Sequence, residues 1–217
     1  MAKPVLAKMY GCITKDEVNA RIQSFADAVP AISQAFWTNG GGPDNSTYPE
    51  KACQAAFDLA VATLDAAYAY DGFVLFKPTL TTGETTLRPT RNGALSYFIG
   101  TQCLKLAGSP EDQYVVAGDS FYEYGFALNN YNNGTGYVAP TVWDPASFLY
   151  RLRLENCLTP IAMGPMCFTA NGTQAGSGPC VDKTFAFNRD SDGAVMITTH
   201  HSSSVVPSTT VSTTVTK

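Results

Sequence analysis

The sequence predicts an α+β fold in which N-terminal helices pack on one face of a strongly curved antiparallel sheet. Three observations predict it: helical periodicity in the first third of the chain, a change of pattern after Asp71-Gly72, and two alternating runs joined by a tight turn near the C-terminal end. Thr14-Lys-Asp-Glu17 is a capping box, in which the threonine hydroxyl accepts from a backbone N–H while the glutamate reaches back. A helix therefore starts there. Val18, Ile22, Phe25 and Val29 recur at helical spacing until Pro30 interrupts them. The run TNGGGPDNSTYP reads as a loop, and Tyr48-Pro49-Glu50 opens a second helix with Phe57, Val61, Leu64 and Tyr68 as its apolar face.

Beyond Asp71-Gly72 the segments GFVLFKPTL, LRPTRNGALSYFIG, QYVVAGDSFYEYGFALNN, ASFLYRLRLEN, PMCFTANG and KTFAFNRDSDGAVMITTHHSS are rich in aromatic and β-branched residues and read as strands. NGALSYFIG is alternatively a short helical turn. RDSDG joins the last two strands as a hairpin. Residues 1–205 form one domain in this reading, and 206–217 a Ser/Thr-rich tail, preferably a linker and alternatively a β-like arm.

At 217 residues and 45% hydrophobic the chain has the composition of one well-filled core. A net charge of -4, with Lys and Arg scattered, leaves no basic stripe for nucleic acid or for an anionic membrane surface. No run of apolar residues approaches the roughly 18 to 20 that span a bilayer, and the first residues, MAKPVLAKMYGC, lack the apolar run of a signal peptide; the abrupt start leaves open that any targeting segment was cut away. Six cysteines (Cys12, Cys53, Cys103, Cys157, Cys167, Cys180) contain no C-x-x-C pair, so disulfides are expected over a structural zinc site. Cys167 and Cys180 bracket a loop and are the most persuasive pair; spacing cannot assign the others, and buried free thiols are the alternative. Sequons at Asn45, Asn133 and Asn171 point to the same oxidising compartment.

Both histidines of the chain lie in TTHHSSS, residues 198–204, at the end of the last strand. Side chains alternate along a strand, so Val195, Ile197, Thr199, His201 and Ser203 share the more apolar face, which should meet the helices. That favours His201 with Ser203 as the inward pair and keeps His200 with Ser202 as the fallback. Alone, the stretch reads rather as a solvated strand end, where His and Ser are simply tolerated.

The stretches VLFKPT, ALSYFIG, GFALNN and DKTFAFNRDSDGAVMITTHHSS together resemble the iota-class carbonic anhydrases over about residues 15 to 205. The resemblance implies a nuclear-transport-factor-2-like open cone of bent sheet closed by helices, related to the association domain of calcium/calmodulin-dependent kinase. It also implies reversible hydration of carbon dioxide to bicarbonate, in at least some members without metal. A catalytic zinc asks for three protein ligands, and adjacent histidines on a strand point apart, so neither metal nor cofactor is expected. Carried over by motif, the catalytic candidates are Thr79, Tyr97, His200, His201, Ser202 and Ser203.

Each candidate has a plain alternative: Thr79 as a strand threonine, Tyr97 as a core aromatic. Lys77 and Arg88 could attract bicarbonate, but isolated basic residues on strands usually form solvated surface. Asp119 and Glu123 lie in a stretch that reads as strand, where their spacing does not pair them, and Phe121, Tyr122, Tyr124 and Phe126 read as core or dimer surface. The expected partner is the small substrate, with a homodimer as the default assembly. The competing class is a non-catalytic association module of the same fold; an isomerase would need a buried carboxylate that the sequence does not locate. Because the family occurs in algae and bacteria, a plastid reached through the secretory route, or another extracytoplasmic compartment, is the expected location.

Overall fold

A computed structural model describes residues 11–42, 48–79, 81, 86–108, 125–128, 138–142, 159–170 and 180–204. In chain order its elements are helix α1 (Lys15–Thr38), helix α2 (Glu50–Ala67), strand β1 (Leu75–Lys77), helix α3 (Arg91–Leu106), a 3-10 turn (Phe126–Leu128), and strands β2 (Val138–Val142), β3 (Ile161–Ala170), β4 (Cys180–Arg189) and β5 (Val195–Ser204). The sheet order is β1-β5-β4-β3-β2. All neighbours are antiparallel except β1, which runs parallel to β5. Helices on a sheet confirm the α+β expectation, with this one parallel pair as a departure. The stretches ASFLYRLRLEN and most of QYVVAGDSFYEYGFALNN, with Asp119, Glu123, Phe121, Tyr122 and Tyr124, lie outside the described residues, as does the tail.

The capping box is formed: Glu17 N donates to Thr14 Oγ1 at 3.2 Å and Thr14 N donates to Glu17 Oε2 at 2.8 Å. The same carboxylate binds Arg189 at 2.8 Å, tying the start of α1 to the β4–β5 turn. In that turn Asp190 Oδ1 accepts from the N–H groups of Asp192 and Ala194 at 3.0 and 2.8 Å. Pro30 does not end α1. The helix continues through it to Thr38, because Ile32, Ser33 and Phe36 extend the buried stripe past the missing hydrogen bond. The buried face of α2 is made of Ala52, Cys53, Ala56, Ala60, Leu64 and Ala67, while Phe57 and Val61 pack at its rim. Small side chains there let α2 approach its helical neighbours closely.

The larger correction is α3. RNGALSYFIG, read mainly as strand, is helical from Arg91, with Thr90 Oγ1 accepting from Gly93 N at 3.0 Å as its N-cap. Every residue from Gly93 to Thr101 is buried, so this central stretch of the helix has no polar face and shows no helical period in the sequence. A positive φ of 73° at Gly100 kinks it. Gly125 packs against that kink so tightly that a Cβ would lie 2.3 Å from the Ile99 carbonyl carbon. The contact brings Phe126 flat onto Tyr97, with centroids 5.3 Å apart.

A disulfide joins Cys53 on α2 to Cys103 on α3, and no cysteine among the described residues is free. Cys180 is bridged, and the Cα of Cys167 stands opposite it in the β3–β4 ladder. Since Cys53–Cys103 closes a loop 50 residues apart in sequence, the double substitution Cys53→Ala/Cys103→Ala is expected to remove about 4 kcal/mol of stability, read as a lower urea midpoint at unchanged slope.

Candidate active site

The inner face of the sheet, under the helices, carries the polar cluster. Its position depends on an irregularity in β5. Ala186 pairs with Thr199 but Phe187 pairs with Ile197, so Thr198 is an extra residue opposite β4, a β-bulge. One inserted residue reverses which side chains face inward. Val195 and Ile197 do face the helices, as alternation requires, but beyond the bulge His200 (1% exposed) and Ser202 (0%) point in. His201 is exposed and Ser203 half-buried. The preference for His201 with Ser203 is therefore corrected: strict alternation was carried across a bulge that the sequence does not announce.

His200 sits in an aromatic box. Phe76, its register partner on β1, stacks on one face at 4.6 Å and 17°, and Phe185, its partner on β4, lies at 4.5 Å and 33°. Phe25 of α1 meets it edge-on at 5.1 Å. Burying such rings contributes about 1.5 to 3 kcal/mol each and leaves the imidazole only its two nitrogens for polar contact. Nδ1 is 2.7 Å from Tyr68 Oη, and Nε2 is 2.9 Å from Lys183 Nζ. Tyr68 caps α2 and is fixed beside β5 by a bridge to Ile197, with Ala69 N donating to Ile197 O at 3.1 Å.

Ser202 lies two residues on, along the same face, and its Oγ is hydrogen-bonded to Thr79 Oγ1. Thr79 follows β1 and is buried. Tyr97 is buried on α3 against Phe76 and Phe126, and burial, then Tyr70 and then Tyr97, raises the Tyr68 pKa well above the usual phenol range. Thus Thr79, His200 and Ser202 are buried together beneath the helices, Tyr97 approaches from α3 across the ring of Phe76, and His201 and Ser203 point away. Lys77 lies beside His201, with Nζ 3.4 Å from the carbonyl of Ser202. Arg88, taken as solvated surface, is instead fully buried at 1% exposure, its N–H donating to Phe76 O at 2.7 Å.

Two residues of the cluster escaped the sequence reading. Tyr68 was placed on a helix face, and its link to β5 is tertiary. Lys183 left a signal: Val181, Lys183, Phe185 and Phe187 occupy alternate positions of β4 and all are buried, so a lysine stands within an apolar series. At 4% exposure its desolvated ammonium is pushed down to about 7. Burial, then Lys183 and His201, drive the His200 pKa well below the usual imidazole range, so this ring is neutral at neutral pH.

The class defined by fold and site is thus an α+β domain with a buried cluster of hydroxyl and imidazole groups, and among the described residues no group of three His, Cys, Asp or Glu could hold a metal. The family described as metal-independent carbonic anhydrase matches residues 16–204. A relative from Nostoc sp. bearing that name is 33% identical over 192 residues, covering 88% of this chain and 73% of its own. The crystal structure of the iota-carbonic anhydrase from cyanobacterium complexed with bicarbonate superposes with a TM-score of 0.61 at 30% identity, over 90% of this chain and 94% of that one. This chain belongs to the metal-independent carbonic anhydrase family.

Between pH 7 and 10.5 the unfolded chain holds a proton on Lys183 that the folded chain lacks, so stability must rise with pH across that window. Below about pH 7 the full cost of burying this group is present. Lys183→Met is expected to raise the melting temperature at pH 7 by several degrees and to flatten the rise toward pH 10, measured by calorimetry along a pH series.

Proposed function

We propose that this chain hydrates carbon dioxide reversibly to bicarbonate at the pocket formed by Thr79, Tyr97, His200 and Ser202, with no metal in the reaction. What supports the assignment of the pocket is the Thr79–Ser202 hydroxyl pair on the same buried face as a neutral imidazole, in a chain of the metal-independent family. A zinc enzyme lowers the pKa of its bound water and so supplies hydroxide. Without that, water must lose its proton as it attacks.

The hydroxyls of Thr79, Ser202 and Tyr97 hold water and carbon dioxide and donate to the oxygens that become negative. Proximity and preorganised donors act strongly where water is excluded, and Phe76, Phe98 and Phe126 supply apolar walls around Tyr97. His200 accepts the proton. Its depressed pKa keeps the ring uncharged at neutral pH, with a nitrogen lone pair free to accept, and general-base assistance is typically worth about 10² to 10⁴ in rate. The Tyr68 hydroxyl, 2.7 Å from Nδ1, is the polar link through which that proton arrives. Serine, threonine and tyrosine are too weakly acidic to ionise first, so they position and relay.

Stopped-flow hydration assays test this. Thr79→Val, Ser202→Ala and Tyr97→Phe are each expected to lower kcat/KM by about 10- to 10³-fold, while His201→Gln and Ser203→Ala stay within about twofold. Activity is expected to survive a strong chelator; its loss on chelation would leave the substrate standing and remove the metal-free mechanism.

A homodimer is the assembly that fits the outer face. There Leu75, Ile161 and Met163 are exposed on adjacent rungs of β1 and β3, with Phe73 at 68% exposure beside them. Sedimentation equilibrium is expected to show a dimer that Phe73→Glu/Met163→Glu converts to monomer. The Cys53–Cys103 bridge suits an oxidising, extracytoplasmic compartment such as one reached through the secretory route.

A further inference from the structure

The proton released on hydration has to leave the imidazole, and the aromatic box restricts its exits. Both ring faces and one edge of His200 are covered by Phe76, Phe185 and Phe25, so a proton enters or leaves only at Nδ1, on Tyr68, or at Nε2, on Lys183. We propose that Lys183 is the terminal acceptor of this proton in the hydration direction, acting through His200 and not on carbon dioxide or water itself. The inference rests on the hydration reaction assigned above and adds a residue to it.

The placement fits the task. Lys183 is the register partner of Ser202, so its amine is held on the rung that carries the hydroxyl pair. Its polar contact is His200 Nε2 at 2.9 Å, and among the described residues no carboxylate pairs with it. Among the described residues the titratable groups around the pair are Tyr68 at the end of α2 with Tyr70 just beyond it, Tyr97 on α3, Lys77 on β1 and His201 on β5; none is a carboxylate that would lock the lysine in its charged form. Desolvation brings the ammonium down to about 7, so neutral amine is present at neutral pH. The ring of Phe25, 5.5 Å from Nζ, favours the cation once it forms.

The step balances as carbon dioxide, water and the Lys183 amine giving bicarbonate and the Lys183 ammonium. The water oxygen bonds to carbon while one of its O–H bonds breaks; that proton replaces the one Tyr68 passes to Nδ1, and the proton on Nε2 moves to Nζ. His200 thereby changes tautomer without a lasting charge. Bicarbonate departure opens the reverse path, by which the ammonium returns its proton through the imidazole to buffer. In dehydration the same ammonium is the donor.

Lys183→Arg and Lys183→Met in the full chain test this by stopped flow between pH 6 and 9. Arginine stays charged at every working pH and cannot accept a proton. Both variants are expected to lose about 10- to 100-fold in kcat, to lose the limb of the wild-type profile with its midpoint near 7, and to regain part of the rate with added imidazole buffer. A folded arginine variant with the wild-type rate and profile would overturn the proposal. A second readout needs no substrate: the nitrogen NMR shifts of His200 should exchange tautomer character as Lys183 titrates in the wild type and hold still in Lys183→Met. Shifts identical in the two proteins overturn the coupling even if hydration is confirmed. A wild type that hydrates no carbon dioxide, yet shows the tautomer exchange, overturns the assigned reaction, and with it the acceptor role, while retaining the Lys183–His200 proton exchange.

Discussion

The constraint that organises this molecule is that an imidazole and a primary amine are hydrogen-bonded to each other out of reach of water. His200 and Lys183 could each be solvated at the surface at little cost; placed inside, each must find its partner or lose the fold free energy. The rest of the architecture serves that arrangement. Two strands contribute the flanking phenyl rings, α1 adds a third edge-on, and the end of α2 is tied to β5 so that one phenol reaches the second nitrogen. The site is assembled from α1, the end of α2, β1, α3 and the β4–β5 hairpin, which is why its precision depends on the core and not on a loop.

Neutrality is the electrical consequence. Burial acts in the same direction on both groups, favouring uncharged forms, and no carboxylate among the described residues offsets it at Lys183. A site kept neutral before the reaction suits a substrate without charge, and the one cation that forms with the bicarbonate, on Lys183, is a group whose burial favours giving its proton up again. The hydroxyl groups then act where charge appears and disappears within the reaction, which is where preorganised dipoles act most strongly.

Local chemistry was legible in the sequence wherever it was decided locally. Thr14 and Glu17 announce the start of α1, and the turn between Arg189 and Ala194 announces the hairpin, because both are settled within a few residues. What tertiary structure decides was hidden. Buried all round from Gly93 to Thr101, α3 loses its amphipathic period there and its aromatic content imitates a strand. Pro30 looked like a terminus because the buried contacts that carry α1 past it are distant in sequence. Tyr68 joins the site only through its bridge to Ile197, and the extra residue at Thr198 makes strict alternation name the wrong histidine. Lys183 was visible in principle as the polar member of an apolar alternation.

That extra residue also accounts for the doubled letters of the last strand. Were β5 to straighten there, Ile197 would keep its place and the inward row beyond it would become Thr199, His201 and Ser203 in place of His200 and Ser202. Either arrangement sends an imidazole and then a hydroxyl toward the helices. The repeated Thr-Thr, His-His and Ser-Ser steps thus make the chemistry tolerant of a frame slip: straightening the strand would swap one histidine for its neighbour, deleting Thr198 would keep His200 and Ser202 inward, and either way the interior is supplied with the same functional groups.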